Sequence, residues 1–364
     1  MYLVPDRIMS TERENLINRI RGSHLMIPDL QALVSHWPHD IHPQINQLEN
    51  HVQKVLESIF PERADESRLC KMKSSSIPLF AASWWPYASF EVLCVATTLS
   101  IWLFAWDDET DSLEFSSLNG DMESASVFRN QTVEYIREIM NQDKHGRSST
   151  ITQNRIIRSF KPIGDAICSS SNKLQSQTFL EELIFFIKMC EEEQKVQMNG
   201  RFPSVEEYLQ RRMGSSAVGV CLAITEYATG ATLPEEIMRD DSMKILWHET
   251  NMIISTVNDI LSVKKEIGQS QPDTLIPLLF AKFNSMQAAI DEAVLIVSNS
   301  IDRFQRAESD VLSRYATCPN IERVIQDHIN AYKSACTANI NWSLVSGRYQ
   351  LYCKSMKNGI EVEL

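Results

Sequence analysis

Hydrophobic and polar positions along this chain alternate with the period of a helix almost from end to end. In "HPQINQLENHVQKVLESIF", His42–Phe60, the residues Ile45, Leu48, Val52, Val55, Leu56 and Ile59 share one helical face. Stretches around Glu123–Met140 and Phe179–Val196 repeat that period, and the apolar runs Ile245–Val263 and Ile321–Cys353 read as further helices. "RFPSVEEYLQRR" carries its own start signal, Ser204 as N-cap with Glu207 at the capping-box position. Gly214, Ser215 and Ser216 follow, a group that permits a kink; Gly230 then ends the segment and Pro234 opens the next. No convincing strand, repeat, low-complexity tract or linker interrupts the pattern. It predicts one all-α domain, residues 28–364, after a loosely attached leader, residues 1–27. Within that leader "GSHLM", Gly22–Met26, fits a cloning remnant as readily as natural sequence.

One stretch departs from amphipathicity. "SFEVLCVATTLSIWLFAW", Ser89–Trp106, is mostly apolar and runs straight into the acids "DDETD". Its length only reaches the minimum for a membrane span. Glu91, Thr97, Thr98 and Ser100 inside it favour a helix buried in a protein core over stable membrane insertion.

Composition narrows the field. With 43% hydrophobic residues in 364, a sizeable core is available, and only 11 glycines suit long helices better than turn-rich sheets. The net charge of −12 disfavours nucleic acid and anionic membrane surfaces. An acidic protein that handles an anionic substrate would need metal ions to neutralise it. The eight cysteines are scattered without a CxxC pair, which fits reduced thiols in a cytoplasmic protein rather than disulfides or a zinc site.

Two polar strings then stand out. If the helix continues through the acids, Asp107 and Asp111 lie one turn apart on one face, with Leu103 and Phe104 a turn earlier. Carboxylates at that spacing suit Mg²⁺, a hard ion that also takes phosphate oxygens. A solvated helix end is the plain alternative, although acids at a C-terminus oppose the helix dipole. In "NDILSVKKE", Asn258, Ser262 and Glu266 fall at i, i+4 and i+8, which stacks three oxygen donors on one stripe. Arg212 precedes the kink, and Arg348 with Tyr349 follows Trp342 near the C-terminus. A guanidinium fork suits phosphate oxygens and an indole face suits a cation. Singly, each Arg also reads as a surface residue and Trp342 as core.

Together these strings resemble the class I terpene synthases, especially the single-domain fungal-type sesquiterpene cyclases. The family's aspartate-rich motif matches Asp107, Asp108 and Asp111; its NSE motif matches Asn258, Asp259, Ser262 and Glu266, with the associated Lys265. Its pyrophosphate-sensing Arg fits Arg212, its helix-break effector positions fit Ser215 and Ser216, and its RY pair fits Arg348 and Tyr349. The match runs from about residue 80 to 350 in the family's order; NSE and RY together are specific, whereas DDxxD alone is not. The effector position often carries Asp before Gly, so Ser215–Ser216 departs from the pattern.

The resemblance implies an all-α bundle around a central apolar cavity. It implies a carbon–oxygen lyase that ionises an isoprenyl diphosphate and cyclises the allylic cation with three Mg²⁺ ions. Asp107, Asp111, Asn258, Ser262 and Glu266 would hold metal, with Asp108 supporting them. Arg212, Lys265, Arg348 and Tyr349 would hold diphosphate, while Phe104 and Trp342 shape and shield the cation. Family tendency favours farnesyl diphosphate over the geranyl and geranylgeranyl homologues, and homodimers are common. Rival readings have less support. A chain-elongating synthase needs a second aspartate-rich motif, and a class II cyclase needs DxDD. An HD-type phosphohydrolase rests only on the proline-flanked His39–Asp40, His248–Glu249 lacks the second His of HExxH, and a non-catalytic helical scaffold explains none of the motifs.

Overall fold

Helices form where the apolar period is longest. The computed structural model describes residues 11–112, 114–140, 152–199 and 201–364. Its principal helices are α1 (Thr11–Ile20), α2 (Ile45–Ile59), α3 (Ile77–Trp84), α4 (Phe90–Asp111), α5 (Met122–Met140) and α6 (Lys173–Met198). They continue as α7 (Val205–Ser215), α8 (Val218–Ala223), α9 (Asp241–Gly268), α10 (Leu275–Phe283), α11 (Met286–Tyr315) and α12 (Pro319–Val345). Starts follow local chemistry. Ser89 Oγ accepts from Val92 N at the head of α4, Asp240 Oδ1 from Ser242 N at α9, and Ser285 Oγ from Ala288 N at α11. The expected capping box is present, with Ser204 N donating to Glu207 Oε2 and Glu207 N donating to Ser204 Oγ.

The bundle is an all-α core in which α9 packs along α11 and α12, α6 along α5 and α7, and α3 against α4 and α12. Helix α4 is the one described helix long and apolar enough to cross a membrane, yet 61% of its most apolar window is buried inside the bundle. Its indoles are satisfied there: Trp102 Nε1 donates to the Ile156 carbonyl at 3.0 Å and Trp106 Nε1 to Thr132 Oγ1 at 3.1 Å. A core helix explains the all-round apolar pattern.

Three expectations are corrected. Residues 11–27 of the leader are not loosely attached: Leu16, Ile17, Ile20, Leu25 and Ile27 are buried in the core. Residues 1–10 lie outside the described residues. The chain also contains strands, β1 (His24–Ile27) and β2 (Ile360–Glu363), which pair antiparallel with His24 opposite Glu363. Leu25, Ile27 and Val362 turn inward, so the core supplies the energy that the short strands lack. Finally, the C-terminal helix stops at Val345 rather than reaching Cys353. Ser346 is extended, and Gly347 N donates to the Ser74 carbonyl at 3.0 Å; a Cβ on Gly347 would meet that oxygen at 2.8 Å.

Candidate active site

The two polar strings converge. Asp107 and Asp111 from the end of α4, and Asn258, Ser262 and Glu266 from α9, line one cavity of about 200 Å³. One water occupies roughly 10–15 Å³ on that measure, so the space suits a small molecule rather than a polymer. Each helix descends inward from its polar end. On α4 the order is Asp111, Asp107, Phe104 and Leu103, then Ser100; on α9 it is Glu266, Ser262, Asn258, then Ile254. With 5.4 Å per turn, the acids form a rim and the apolar residues a floor.

The α9 stripe is already ordered. Ser262 Oγ donates to Glu266 Oε1 at 2.6 Å, while Glu266 Oε2 is buried without a partner among the described residues. Asn258 Oδ1 accepts from Arg212 Nη2 at 2.8 Å, and Asn258 Nδ2 donates to the Tyr349 hydroxyl at 2.6 Å. Arg212 also donates from Nε to Asp259 Oδ1 at 3.1 Å, and Tyr208 holds the second Asp259 oxygen at 2.8 Å. One network therefore joins the α7 arginine, the α9 stripe and the C-terminal tyrosine.

Arg348 lies 5.0 Å over the Phe104 ring and 4.0 Å from Asp108 Oδ1, whose other oxygen is buried without a partner. Burial, then the charge of Asp111, raises the Asp107 carboxyl to about 7. Burial, then the Arg348 charge, lowers the Lys265 ammonium to about 8. Burial thus works against the charged forms of both Asp107 and Lys265, a cost that metal ions and an anion entering the cavity would relieve.

Ser215 and Ser216 sit at the helix break, as the kink predicts. Helix α7 ends at Ser215, and Ala217, at φ 59°, takes the left-handed conformation that separates α7 from α8. Both serines line the cavity, and Ser216 Oγ donates to Asn251 Oδ1 at 3.1 Å. Trp342 combines its two readings: Nε1 donates to the Ser75 carbonyl at 2.7 Å, as in a core residue, while the ring lines the cavity 5.0 Å from Phe80 and 5.9 Å from Phe104. His39 and Asp40 take no part in this cavity.

The donor set fits hard divalent ions. All five candidate ligands offer oxygen, and two buried carboxylate oxygens, on Asp108 and Glu266, await partners. Among the described residues no three of His, Cys, Asp and Glu gather around one point, so the donors are divided between facing walls.

Sequence reasoning missed Phe80, Trp84, Phe186, Glu193 and Arg129 as cavity walls. Phe186, Cys190, Glu193 and Gln197 form an i, i+4, i+7, i+11 stripe on α6 that the helical period contains. Phe80 and Trp84 stand at i and i+4 on α3, whereas Arg129 reaches the cavity alone from α5.

Comparison with known proteins agrees with this geometry. Residues 98–303 match the family described as terpene synthase family 2, C-terminal metal binding. Over 354 residues the chain is 32% identical to the sesquiterpene cyclase hepA of Aspergillus oryzae, covering 94% of each protein. It is 25% identical to terpene cyclase braA of Annulohypoxylon truncatum, over 93% of this chain and 89% of that one. The crystal structure of a-eudesmol synthase aligns with a TM-score of 0.73 at 18% identity, covering 85% of this chain and 98% of the other. Linalool/nerolidol synthase from Streptomyces clavuligerus, solved with 2-fluorogeranyl diphosphate, aligns at 0.70 and 14% identity, covering 86% and 98%. At those identities the structures speak to the fold alone.

Proposed function

The chain belongs to the terpene synthase family, and from that premise we propose that it is a Mg²⁺-dependent cyclase that converts farnesyl diphosphate to a sesquiterpene. The observation that carries this reading is the sharing of one cavity by two oxygen-donor stripes, with an aromatic floor beneath them. The sesquiterpene cyclase among its relatives supports the C15 substrate.

Asp107 and Asp111 would hold Mg²⁺ on one wall, and Asn258, Ser262 and Glu266 on the other, with three ions in all. Bound there, Mg²⁺ supplies the charge that makes diphosphate a leaving group. Arg212, Arg348, Tyr349 and Lys265 bind the anion; with its pKa near 8, Lys265 is still largely protonated at neutral pH. Asp108, 4.0 Å from Arg348, would balance its charge beside the metal ligands. Ser215 and Ser216 carry the α7–α8 break that lets Arg212 report on the anion. Phe104 and Trp342 would shield the allylic cation, and the aromatic floor would keep water from it.

The test is incubation with geranyl, farnesyl and geranylgeranyl diphosphates plus Mg²⁺, with products read by gas chromatography–mass spectrometry. A cyclic C15 product is expected. Asn258→Ala and Glu266→Ala should each lower turnover at least a hundredfold while circular dichroism stays native; full activity in either variant would refute the metal assignment.

A further inference from the structure

Arg129 stands in the cavity wall with two of its donor atoms unused. It projects from α5, is 3% exposed, and lines the cavity, as does Gln194. Its Nη2 donates to Gln194 Oε1, but Nε and Nη1 are buried with no hydrogen-bond partner among the described residues. Gln194 cannot turn to offer more, because its Nε2 donates to the Leu118 carbonyl at 2.8 Å and the Asn119 carbonyl at 2.9 Å. Asn119 in turn donates to the Asp111 carbonyl at 2.6 Å, so this chain of bonds fixes Arg129 beside the α4 rim.

The other two arginines lining this cavity face acids, Arg212 at Asp259 and Arg348 at Asp108. No described carboxylate lies within ion-pair distance of Arg129. The charged and titratable neighbours that act on it are Cys190, kept neutral by burial, and Glu191, which is already paired with Lys195. A guanidinium does not lose its proton in a protein. Buried donors without acceptors are costly, and a fold keeps them where a ligand supplies the acceptor.

We propose that Arg129 is a further substrate-binding residue, whose free Nε and Nη1 donate to the diphosphate of the isoprenyl substrate from the α5–α6 side of the cavity. This inference rests on the proposed diphosphate chemistry. It adds a residue that lies outside the aspartate-rich, NSE and RY strings and approaches from a different wall.

Melting curves and titration calorimetry with inorganic pyrophosphate, with and without Mg²⁺, test it. The native chain should melt higher with both ligands present. In Arg129→Met the ion-free Tm should be unchanged or higher, because a buried unpaired charge is gone, whereas pyrophosphate affinity should fall at least tenfold. Arg129→Lys keeps the charge but loses the fork, and its affinity should fall severalfold. An arginine that served only the fold would do the reverse, lowering the ion-free Tm and leaving pyrophosphate affinity intact. Affinity within twofold of native in Arg129→Lys, or in a folded Arg129→Met, overturns the proposal. A native chain that ignores pyrophosphate with Mg²⁺ overturns the diphosphate reading beneath it.

Discussion

Asn258 is gripped from both sides: Arg212 donates to its amide oxygen and its amide nitrogen donates to Tyr349. The orientation of its oxygen is thereby set by a residue 91 positions away. Tyr349→Phe removes the acceptor and leaves the Asn258 amide free to turn. We expect kcat/KM to fall about tenfold, or ~1.4 kcal/mol, with a raised Mg²⁺ requirement. Unchanged Mg²⁺ dependence in steady-state kinetics would limit Tyr349 to packing against Trp342, whose ring centroid lies 5.6 Å away. Residues such as Asn258, Ser262 and Glu266 were legible in the sequence because one helix presents all three at a fixed period. Arg129 was not, since it reaches the cavity alone from its helix and only tertiary packing brings it there.

At the scale of elements, the α7–α8 break depends on how closely α7 approaches α6. A Cβ on Gly214 would stand 2.4 Å from Met189 Cγ and 2.9 Å from Phe185 Cε1. Gly214→Ala must therefore push the two helices apart and should cost about 1–3 kcal/mol in urea unfolding. Arg212 lies just before that glycine, so turnover should fall as well; wild-type stability and turnover together would show that α7 has slack the packing does not display. Helix α4 was legible because burial on all sides leaves an unbroken apolar run. The β1–β2 ribbon was not, because four-residue strands are too short to show alternation and their partners lie at opposite ends of the chain. The turn carrying Arg348 was hidden by apolar residues that continue past Val345, where the approach of Gly347 to Ser74 ends the helix.

For the whole molecule, acid stability is set partly by His328, buried in α12 with its Nε2 3.0 Å from the Tyr332 hydroxyl. Burial pushes its pKa down from 6.5 to about 4. Between those values the unfolded chain takes the proton and the folded chain does not. Stability is therefore full above about 6.5 and is lost as pH falls toward 4, by on the order of 3 kcal/mol. His328→Gln should flatten the urea midpoint against pH in that window, and an unaltered slope would shift the effect to other groups. The first helix ties distant loops together. Arg13 Nη2 meets Asp273 Oδ1 at 2.7 Å, its Nη1 donates to the Asn199 carbonyl at 2.7 Å, and its guanidinium lies 4.9 Å over Phe202. Asp273 and its neighbour Gln271 line the cavity, and Gln271 spans the rim, with N bonded to the Glu266 carbonyl at 2.9 Å and Nε2 to Asp111 Oδ2 at 3.4 Å. Arg13→Met should cost about 3–5 kcal/mol, because Asp273 is left buried without its partner. An equal urea midpoint would show that the loop reorganises around the loss. Under the proposed chemistry, the same bond ties product fidelity to helix α1. With that anchor slack, unfinished cations should meet solvent and leave as open-chain alcohols, so a trimmed or altered first helix would be noticed first as impurity in the product rather than as loss of rate.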